Sequence, residues 1–364
     1  MPKGSWIARA GNLLLALGAT LACLAVLELG IRIFPPAPHF APIPHYDVDP
    51  DNRLRYLPNQ ERTLETNEYR YTVRYNSFGR RDVEWPPATL ADPRNIVFVG
   101  DSFVFGNSVD DEDSVPTLLE GWLARRGDPR EVFNFGRGGT GPPTYKLLLE
   151  DALASGIRAG TVVVGVFVGN DFYPSTLWGP VIELERKAGE PPTKRPPRSE
   201  LLHFVKTRLA SSPRVVSWAL DLSGRLGISL YDTAGSYIFL RRPTPDQTRV
   251  FQSILDILGT VGDLAHEHDR EFAMVLFPNR IQVENGPDLT NSVLDAAVPN
   301  ARILEYCRSR GIPCLDLLPV LSERYDRGGE PLYFPIDRHL NATGSRVAAE
   351  AIGAFLEESG VLSR

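Results

Sequence analysis

Short apolar stretches alternate with longer amphipathic ones along residues 95–357, and this alternation constrains the fold more than any other feature of the chain. The short stretches are apolar on both faces, as buried strands are, and they lie at 96–99, 132–135, 161–168, 272–277 and 312–317. The segments between and after them have helical spacing, at 115–126, 144–154, 247–268, 301–310 and 342–357, and Ser114 is a candidate N-cap for the first of them. This pattern predicts a mostly parallel sheet covered by helices on both sides, that is, a three-layer α/β/α sandwich.

Residues 13–34 form an apolar run that is unlike the rest of the chain. Glu28 interrupts it, but with this carboxylate near the lipid headgroups the run still reaches about 20 residues, enough to span a bilayer. A cleaved signal peptide needs small residues at a cleavage site after the run, and residues 28–32 offer no clean site. Lys3 and Arg9 precede the run and Arg32 alone follows it closely, so we predict an N-terminus in the cytoplasm and a main domain outside.

We predict a short cytoplasmic tail at 1–12, a transmembrane anchor at 13–34, a proline-rich linker at 35–65 and one globular domain at 66–364. Six prolines within 35–50 favour a stiff, extended spacer. Alternation of polar and apolar residues at 68–75 predicts a strand, which turns at 76–79. Residues 172–245 break the alternation of strands and helices, and we predict that they form an insertion within the domain.

The composition is that of an ordinary globular protein, 43% hydrophobic and 23% charged, and the net charge of -6 does not favour a nucleic-acid partner. Cys307 and Cys314 flank a predicted turn between a helix and a strand. In an oxidising compartment the two could bridge, or they could pack independently as small buried residues. Their spacing alone does not decide between these alternatives, and the oligomeric state is equally open.

The first predicted sheet strand ends in Gly-Asp-Ser-Phe at 100–103. Ligands in open parallel sheets bind at the carboxyl ends of the strands, so Ser102 is expected to face solvent there. It also lies near the amino end of the next helix, whose dipole favours developing negative charge. Taken alone, the stretch also fits an Asx or serine turn that caps a helix.

A glycine-rich loop follows the second strand, with Gly136, Gly138 and Gly141 spaced as in a dinucleotide-binding fingerprint. That fingerprint belongs to the first strand of its unit and needs an acidic residue at the end of the next strand. Here Glu150 and Asp151 fall in a predicted helix, so dinucleotide binding is disfavoured. The other use of such glycines is a close backbone approach that points an N–H group at an oxyanion.

Two later loops carry polar side chains. Asn170 follows the most apolar strand and could offer its amide NH2 to the same oxyanion, although Gly-Asn-Asp at 169–171 also fits an ordinary turn. His339 could take a serine proton while Asp337 holds the imidazole. The segment around them also fits a helix start with Asn341 as the N-cap.

These four elements, in the order Ser, Gly, Asn, Asp-x-His, resemble the blocks of the SGNH, or GDSL, hydrolase superfamily over residues 70–360. Residues 100–106 resemble the first block, Gly139 the glycine of the second, Asn170 the asparagine of the third and His339 the histidine of the last. The segment 76–80 resembles one that precedes the first block in bacterial members. The last block departs from the commonest pattern, because one residue and not two separates Asp337 from His339, as in branches related to polysaccharide acetyltransferases.

The resemblance implies a flavodoxin-like SGNH fold and a serine esterase or O-acyltransferase that needs no metal or organic cofactor. Ser102 would be the nucleophile, His339 the general base and Asp337 its orienting carboxylate. Ser102, Gly139 and Asn170 would form the oxyanion hole, with Gly138 as the alternative to Gly139 because the loop is one residue tighter than usual. The expected substrate is an acyl ester on an envelope glycan or lipid, and a catalytically idle carbohydrate-binding module is the alternative outside enzymes.

Overall fold

The structure is a computed structural model that describes residues 4–34, 55–172, 199–210, 236–290 and 293–362, together with the single residues 215, 218 and 222. The predicted proline-rich spacer at 35–50 and most of the predicted insertion at 172–245 lie outside the described residues.

Within the described residues, the centre of the domain is a five-stranded sheet in which every neighbouring pair is parallel. Its strands are β3 (Ile96–Gly100), β4 (Val132–Gly136), β5 (Thr161–Val168), β6 (Glu271–Pro278) and β7 (Cys314–Asp316). The spatial order is β4-β3-β5-β6-β7, which is the flavodoxin-like order of a doubly wound fold. The chain reverses its winding direction between β3 and β5, and ligands in such folds bind outside the carboxyl ends of the strands at this place.

Helices cover both faces of the sheet, which confirms the predicted three-layer sandwich. One face carries α4 (Val115–Arg125), α10 (Leu318–Asp326) and α11 (Ala342–Ser359). The other carries α5 (Pro142–Ala154), α7 (Pro245–Glu267) and α9 (Val298–Ser309). A hydrophobic core lies on each face of the sheet, and successive residues of a strand point into the two cores alternately. Ile96 and Phe98 lie in one core, and Val97 and Val99 lie in the other.

The helix starts follow from local capping chemistry. Ser114 caps α4 by accepting a hydrogen bond from the Thr117 N–H group, and Asn341 caps α11 by accepting one from Gly344. Both caps were predicted from the sequence. Sequence reasoning missed α8 (Arg280–Leu289) and α10, which are short and lack a long apolar period.

A small antiparallel hairpin precedes the sandwich. Its strands are β1 (Glu61–Glu65) and β2 (Arg70–Arg74), so the predicted strand at 68–75 is present and its partner lies in the stretch assigned to the linker. Tyr71 and Val73 form a small core under the hairpin with Phe105 from the domain. Two short helices, α2 (Pro87–Leu90) and α3 (Ser102–Phe105), precede and follow β3 in the chain.

The N-terminal helix α1 spans Gly4–Ile33. Its stretch Leu14–Ile33 has a mean hydropathy of 2.2 and is the one described helix long and apolar enough to cross a membrane, a property that N-terminal signal sequences share. The Glu28 carboxylate accepts hydrogen bonds from Ser199 and from the first N–H groups of α6 (Glu200–Ala210). Cys307 and Cys314 are both free thiols, and Cys307 lies 3.8 Å from the sulfur of Met274.

Candidate active site

Ser102 is the first residue of α3, and Asp101 alone separates it from the carboxyl end of β3 at Gly100. The side chain of Asp101 caps this helix by accepting a 2.9 Å hydrogen bond from the Phe103 N–H group. Gly106, at φ +84°, ends the helix after a single turn. The turn that caps this helix is therefore an Asx turn of Asp101, and the predicted helix start is present. Because the helix has one turn, its dipole is much smaller than that of the longer helix the sequence led us to expect.

Three glycines let α3 approach the sheet. A Cβ atom on Gly136 would lie 2.1 Å from the Phe105 nitrogen, so no other residue fits there without moving the helix backbone. A Cβ atom on Gly100 or on Gly165 would lie 2.3 or 2.4 Å from the Val104 side chain. From the sequence, Gly136 was considered only as part of the glycine-rich loop, and Gly100 only as part of the Gly-Asp-Ser-Phe segment. The close contact in fact positions the segment that carries Ser102.

The structure brings Ser102, His339 and Asp337 together in one chain of hydrogen bonds. The Ser102 Oγ lies 2.7 Å from His339 Nε2, and His339 Nδ1 hydrogen-bonds Asp337 Oδ1. Ser102 Oγ also lies 3.4 Å from Asp101 Oδ2, a weaker contact. A hydroxyl, an imidazole and a carboxylate in this order form the arrangement that activates a serine for nucleophilic attack.

The backbone at Arg338 explains how one intervening residue suffices between Asp337 and His339. Arg338 adopts φ +72°, the left-handed region, which turns the chain tightly enough for both side chains to meet. The turn is closed by hydrogen bonds from the Arg338 N–H group to the Phe334 oxygen and from the Phe334 N–H group to the His339 oxygen. A non-glycine residue in this region is strained, and such strain is concentrated at functional sites.

The charges of the pair shift both pKa values in directions that suit general-base chemistry. Burial acts to lower the pKa of His339, but the carboxylate of Asp337, its hydrogen bond and the charge of Asp101 together raise it above the ordinary value. Burial acts to raise the pKa of Asp337, but His339 and the hydrogen bonds to the carboxylate together lower it. Asp337 is therefore ionised at neutral pH and stabilises an imidazolium.

Asp337 is held by residues that sequence reasoning missed. The Tyr69 hydroxyl donates to Asp337 Oδ2 at 2.5 Å, and the Ser108 hydroxyl donates to Oδ1 at 3.0 Å. The Glu68 carboxylate accepts from the N–H groups of Ile336 and Asp337 at 2.8 and 2.7 Å. No local sequence signal could identify them, because 268 residues separate Tyr69 from Asp337.

Gly139 and Asn170 lie at the ends of the two strands that flank β3. Gly100 of β3 pairs with Gly136 of β4, so the loop with Gly139 runs beside the start of α3. Gly139 adopts φ +72°, a backbone conformation that favours glycine. The space around it is open, so the conformation and not crowding favours glycine here. Asn170 opens a short 3-10 helix, Asn170–Phe172, after β5, and its side-chain oxygen Oδ1 is buried without a hydrogen-bond partner among the described residues.

The neighbouring Asp171 fixes the turn that carries Asn170. Its buried carboxylate accepts hydrogen bonds from the Tyr145 hydroxyl at 2.8 Å and from the Phe167 N–H group at 2.9 Å. Ser102, His339 and Asp337 are thus linked directly, whereas Gly139 and Asn170 are adjacent to them through the sheet. Among the described residues, no group of three or more His, Cys, Asp or Glu side chains could hold a metal ion.

Part of the chain matches a known protein family. Residues 241–363 match the family described as "SGNH hydrolase-like domain, acetyltransferase AlgX". The match includes Asp337 and His339, while Ser102, Gly139 and Asn170 precede it. No curated protein matches the chain in sequence.

The solved structures of a G-D-S-L family protein and of two esterases resemble the chain at low identity. A lipolytic protein of the G-D-S-L family from Desulfitobacterium hafniense is 14% identical, with 72% of this chain and 99% of that chain covered and a TM-score of 0.39. For a psychrotrophic esterase from Pseudoalteromonas the identity is 9%, the coverage 73% and 98%, and the TM-score 0.40. An acetyl xylan esterase is 14% identical, with coverage of 71% and 98% and a TM-score of 0.39.

The doubly wound parallel sheet and the serine, histidine and aspartate at its carboxyl edge define a hydrolase or acyltransferase class of domain. Over residues 241–363, its C-terminal third, the chain is similar to the SGNH hydrolase-like domain of the AlgX acetyltransferase family.

Proposed function

We propose that this protein is a membrane-anchored serine esterase that cleaves an acyl ester through an acyl-enzyme intermediate. The observation that carries the proposal is the 2.7 Å contact between Ser102 Oγ and His339 Nε2, with Asp337 on the opposite nitrogen of the same ring. In this arrangement the serine proton has an acceptor, and the imidazolium that forms has a counter-charge.

In the proposed reaction, Ser102 Oγ attacks the ester carbonyl carbon and its proton passes to His339 Nε2. The resulting oxyanion accepts hydrogen bonds from the Ser102 and Gly139 N–H groups and from the Asn170 amide. When the intermediate collapses, the leaving alkoxide takes the proton from His339 and the acyl group stays on Ser102 Oγ. Water then attacks the acyl-enzyme with His339 again acting as the base, which releases the acid and restores Ser102.

Transfer of the acyl group to another hydroxyl is the second candidate, and one specific observation favours it. The matched family is described as an acetyltransferase. The first half of the reaction is the same, and a sugar hydroxyl takes the place of water in the second half. A domain held outside the membrane by α1 would meet envelope glycans or lipids and not cytosolic metabolites, so these are the proposed substrate class.

The test uses the full chain in detergent with p-nitrophenyl acetate, with and without an O-acetylatable glycan. Esterase activity releases p-nitrophenol at the same rate in both cases. Transfer accelerates release when glycan is present and leaves ester on the glycan. Mass spectrometry should find the trapped acyl group on the peptide that contains Ser102.

The matched control is Ser102→Ala, which removes the nucleophile from a helix turn whose capping bond comes from Asp101 and not from Ser102. Turnover should fall by several orders of magnitude while the fold is retained. Wild-type turnover in the folded variant would refute the assignment. If wild-type protein binds glycan but never forms an acyl adduct, the chain is a binding module instead.

A further inference from the structure

The carboxylate of Asp337 is enclosed by donors from three different parts of the chain. Its side chain is 3% exposed. Oδ1 accepts from His339 and from Ser108, and Oδ2 accepts from the Tyr69 hydroxyl at 2.5 Å. Tyr69 is the donor to Oδ2, the oxygen that His339 does not use. Without it this oxygen would be buried with no donor in the described part of the protein.

The hairpin that carries Tyr69 also holds the backbone on which Asp337 is mounted. The Glu68 carboxylate accepts from two successive N–H groups, those of Ile336 and Asp337, immediately before the left-handed Arg338. A carboxylate on two backbone N–H groups makes charge-assisted hydrogen bonds, which are about twice as strong as neutral ones. The Glu68 contact therefore fixes the entry to the strained turn.

The tip of the hairpin is itself well ordered by short-range contacts. The buried Thr66 hydroxyl accepts from the N–H groups of Glu68 and Tyr69, and the Thr66 N–H group donates to the Tyr69 oxygen at 2.8 Å. The Tyr69 ring packs against Phe334, with ring centroids 4.8 Å apart. The side chains of Glu68 and Tyr69 therefore reach the Asp337 turn from a hairpin tip whose backbone is held by hydrogen bonds.

We propose that Glu68 and Tyr69, on the hairpin that precedes the sandwich in the chain, are positioning residues that orient the Asp337 carboxylate towards His339. This inference deepens the proposed function and rests on it. Tyr69 fixes the plane of the Asp337 carboxylate and takes up part of its negative charge. Glu68 fixes the backbone, so that the carboxylate meets Nδ1 and the Nε2 nitrogen is left free to accept the serine proton.

The titratable groups around this pair set the sign of the expected effect. Asp101 faces His339 from the start of α3, and Tyr69, Tyr71 and Glu68 face the Asp337 turn from the hairpin. Losing the Tyr69 donor leaves more charge on Asp337, which holds the imidazolium more strongly. The pKa of His339 should then rise.

The first test compares Tyr69→Phe with wild type in the full chain, using p-nitrophenyl acetate. A lost hydrogen bond to a charged group predicts a fall in kcat of about 10- to 100-fold, with KM within about twofold. The acid limb of the kcat/KM profile should move to higher pH. Thr63→Val is the matched control, because Thr63 bonds across the same hairpin to Thr72 and does not contact Asp337.

A fall in kcat with an acid limb that stays in place or moves to lower pH would overturn the electrostatic role of Tyr69. An equal fall in Thr63→Val would mean that the hairpin matters only for folding. For Glu68, replacement by Gln keeps one accepting oxygen and should retain more kcat than Glu68→Ala. Equal activity of Glu68→Ala and wild type would overturn the role of Glu68.

A second readout does not depend on turnover. The pKa of His339 is measured by titrating the ring in the detergent-solubilised full chain, labelled with 15N-histidine, in wild type and in Tyr69→Phe. A higher pKa in the variant supports the positioning role even where no ester is cleaved. If wild-type protein cleaves no ester, the proposed function fails by itself, whereas an unchanged His339 pKa in the variant overturns this inference.

Discussion

Replacement of Gly136 by alanine perturbs the support of Ser102 without touching the proposed triad. The added Cβ atom would lie 2.1 Å from the Phe105 nitrogen, 2.5 Å from the Val104 carbonyl carbon and 2.6 Å from the Phe105 Cα atom. All three are backbone atoms of α3, so no side chain can rotate away. Comfortable contacts between heavy atoms are about 3.5–4.0 Å, so the helix turn must retreat by more than about 1 Å.

Two effects of known size follow from that retreat. Overpacking of a buried site costs about 1–3 kcal/mol in the free energy of unfolding. A misplacement of about 1 Å in a reacting group costs about 10²-fold in rate. We therefore expect Gly136→Ala to lose about 10²-fold in kcat and to melt at a lower temperature, with KM changed less than kcat.

The assay pairs ester turnover with thermal melting, and Gly121→Ala is the control. Gly121 lies inside α4, where an added Cβ atom would come no nearer than 3.4 Å to the flexible end of Arg125. That change should raise the free energy of unfolding by about 0.5–1 kcal/mol and leave turnover alone. Wild-type kcat in a folded Gly136→Ala protein would refute the reasoning that the close approach of β4 to α3 positions Ser102.

Four further outcomes are expected. Asn170→Ala should lower kcat by about 10²–10³ with little change in KM, and a raised KM with unchanged kcat would instead make Asn170 a substrate-binding residue. Because the pKa of His339 lies above its ordinary value and the neutral ring is the base, kcat/KM should fall as the pH drops through that pKa. The acid limb should move to lower pH in Asp337→Asn, and an unmoved limb would contradict the pairing. Protease added to intact spheroplasts should digest the domain, whereas a domain that survives until the membrane is permeabilised would reverse the predicted orientation.

The topology prediction depends on the charges around the apolar run, since Lys3 and Arg9 precede the run and Arg32 follows it. If protease digests the domain from outside but the domain fractionates without membrane, the orientation stands and the anchor does not. Whether the orientation is reversed or the anchor is absent, the esterase activity of the domain can still be measured. The orientation and the chemistry are therefore tested separately.

The sequence predicted the core of the fold because its strands are local patterns. The strand at Thr161–Val168 was predicted to the residue, and Ser114 and Asn341 were predicted as caps. A buried strand must be apolar on both faces, and a helix start favours a side-chain acceptor. Each can therefore be recognised from the types of a few neighbouring residues. Ser102 and His339 were also singled out because each lies in a short motif beside a predicted strand or helix.

Only the tertiary structure decided how these motifs meet. The order of the strands places β3 between β4 and β5, which brings Ser102 between the loops of Gly139 and Asn170. The left-handed Arg338 resolves the short spacing of Asp337 and His339, a conformation that the identity of an arginine does not reveal.

The surroundings of Asp337 show the limit of sequence reasoning most clearly. Tyr69 and Ser108 lie 268 and 229 residues away from it in the chain, and nothing in their own neighbourhoods marks them as its partners. Local patterns report the conformations that neighbouring residues favour. Contacts across the fold depend on how whole strands and helices pack, and this packing places the hairpin tip against the Asp337 turn.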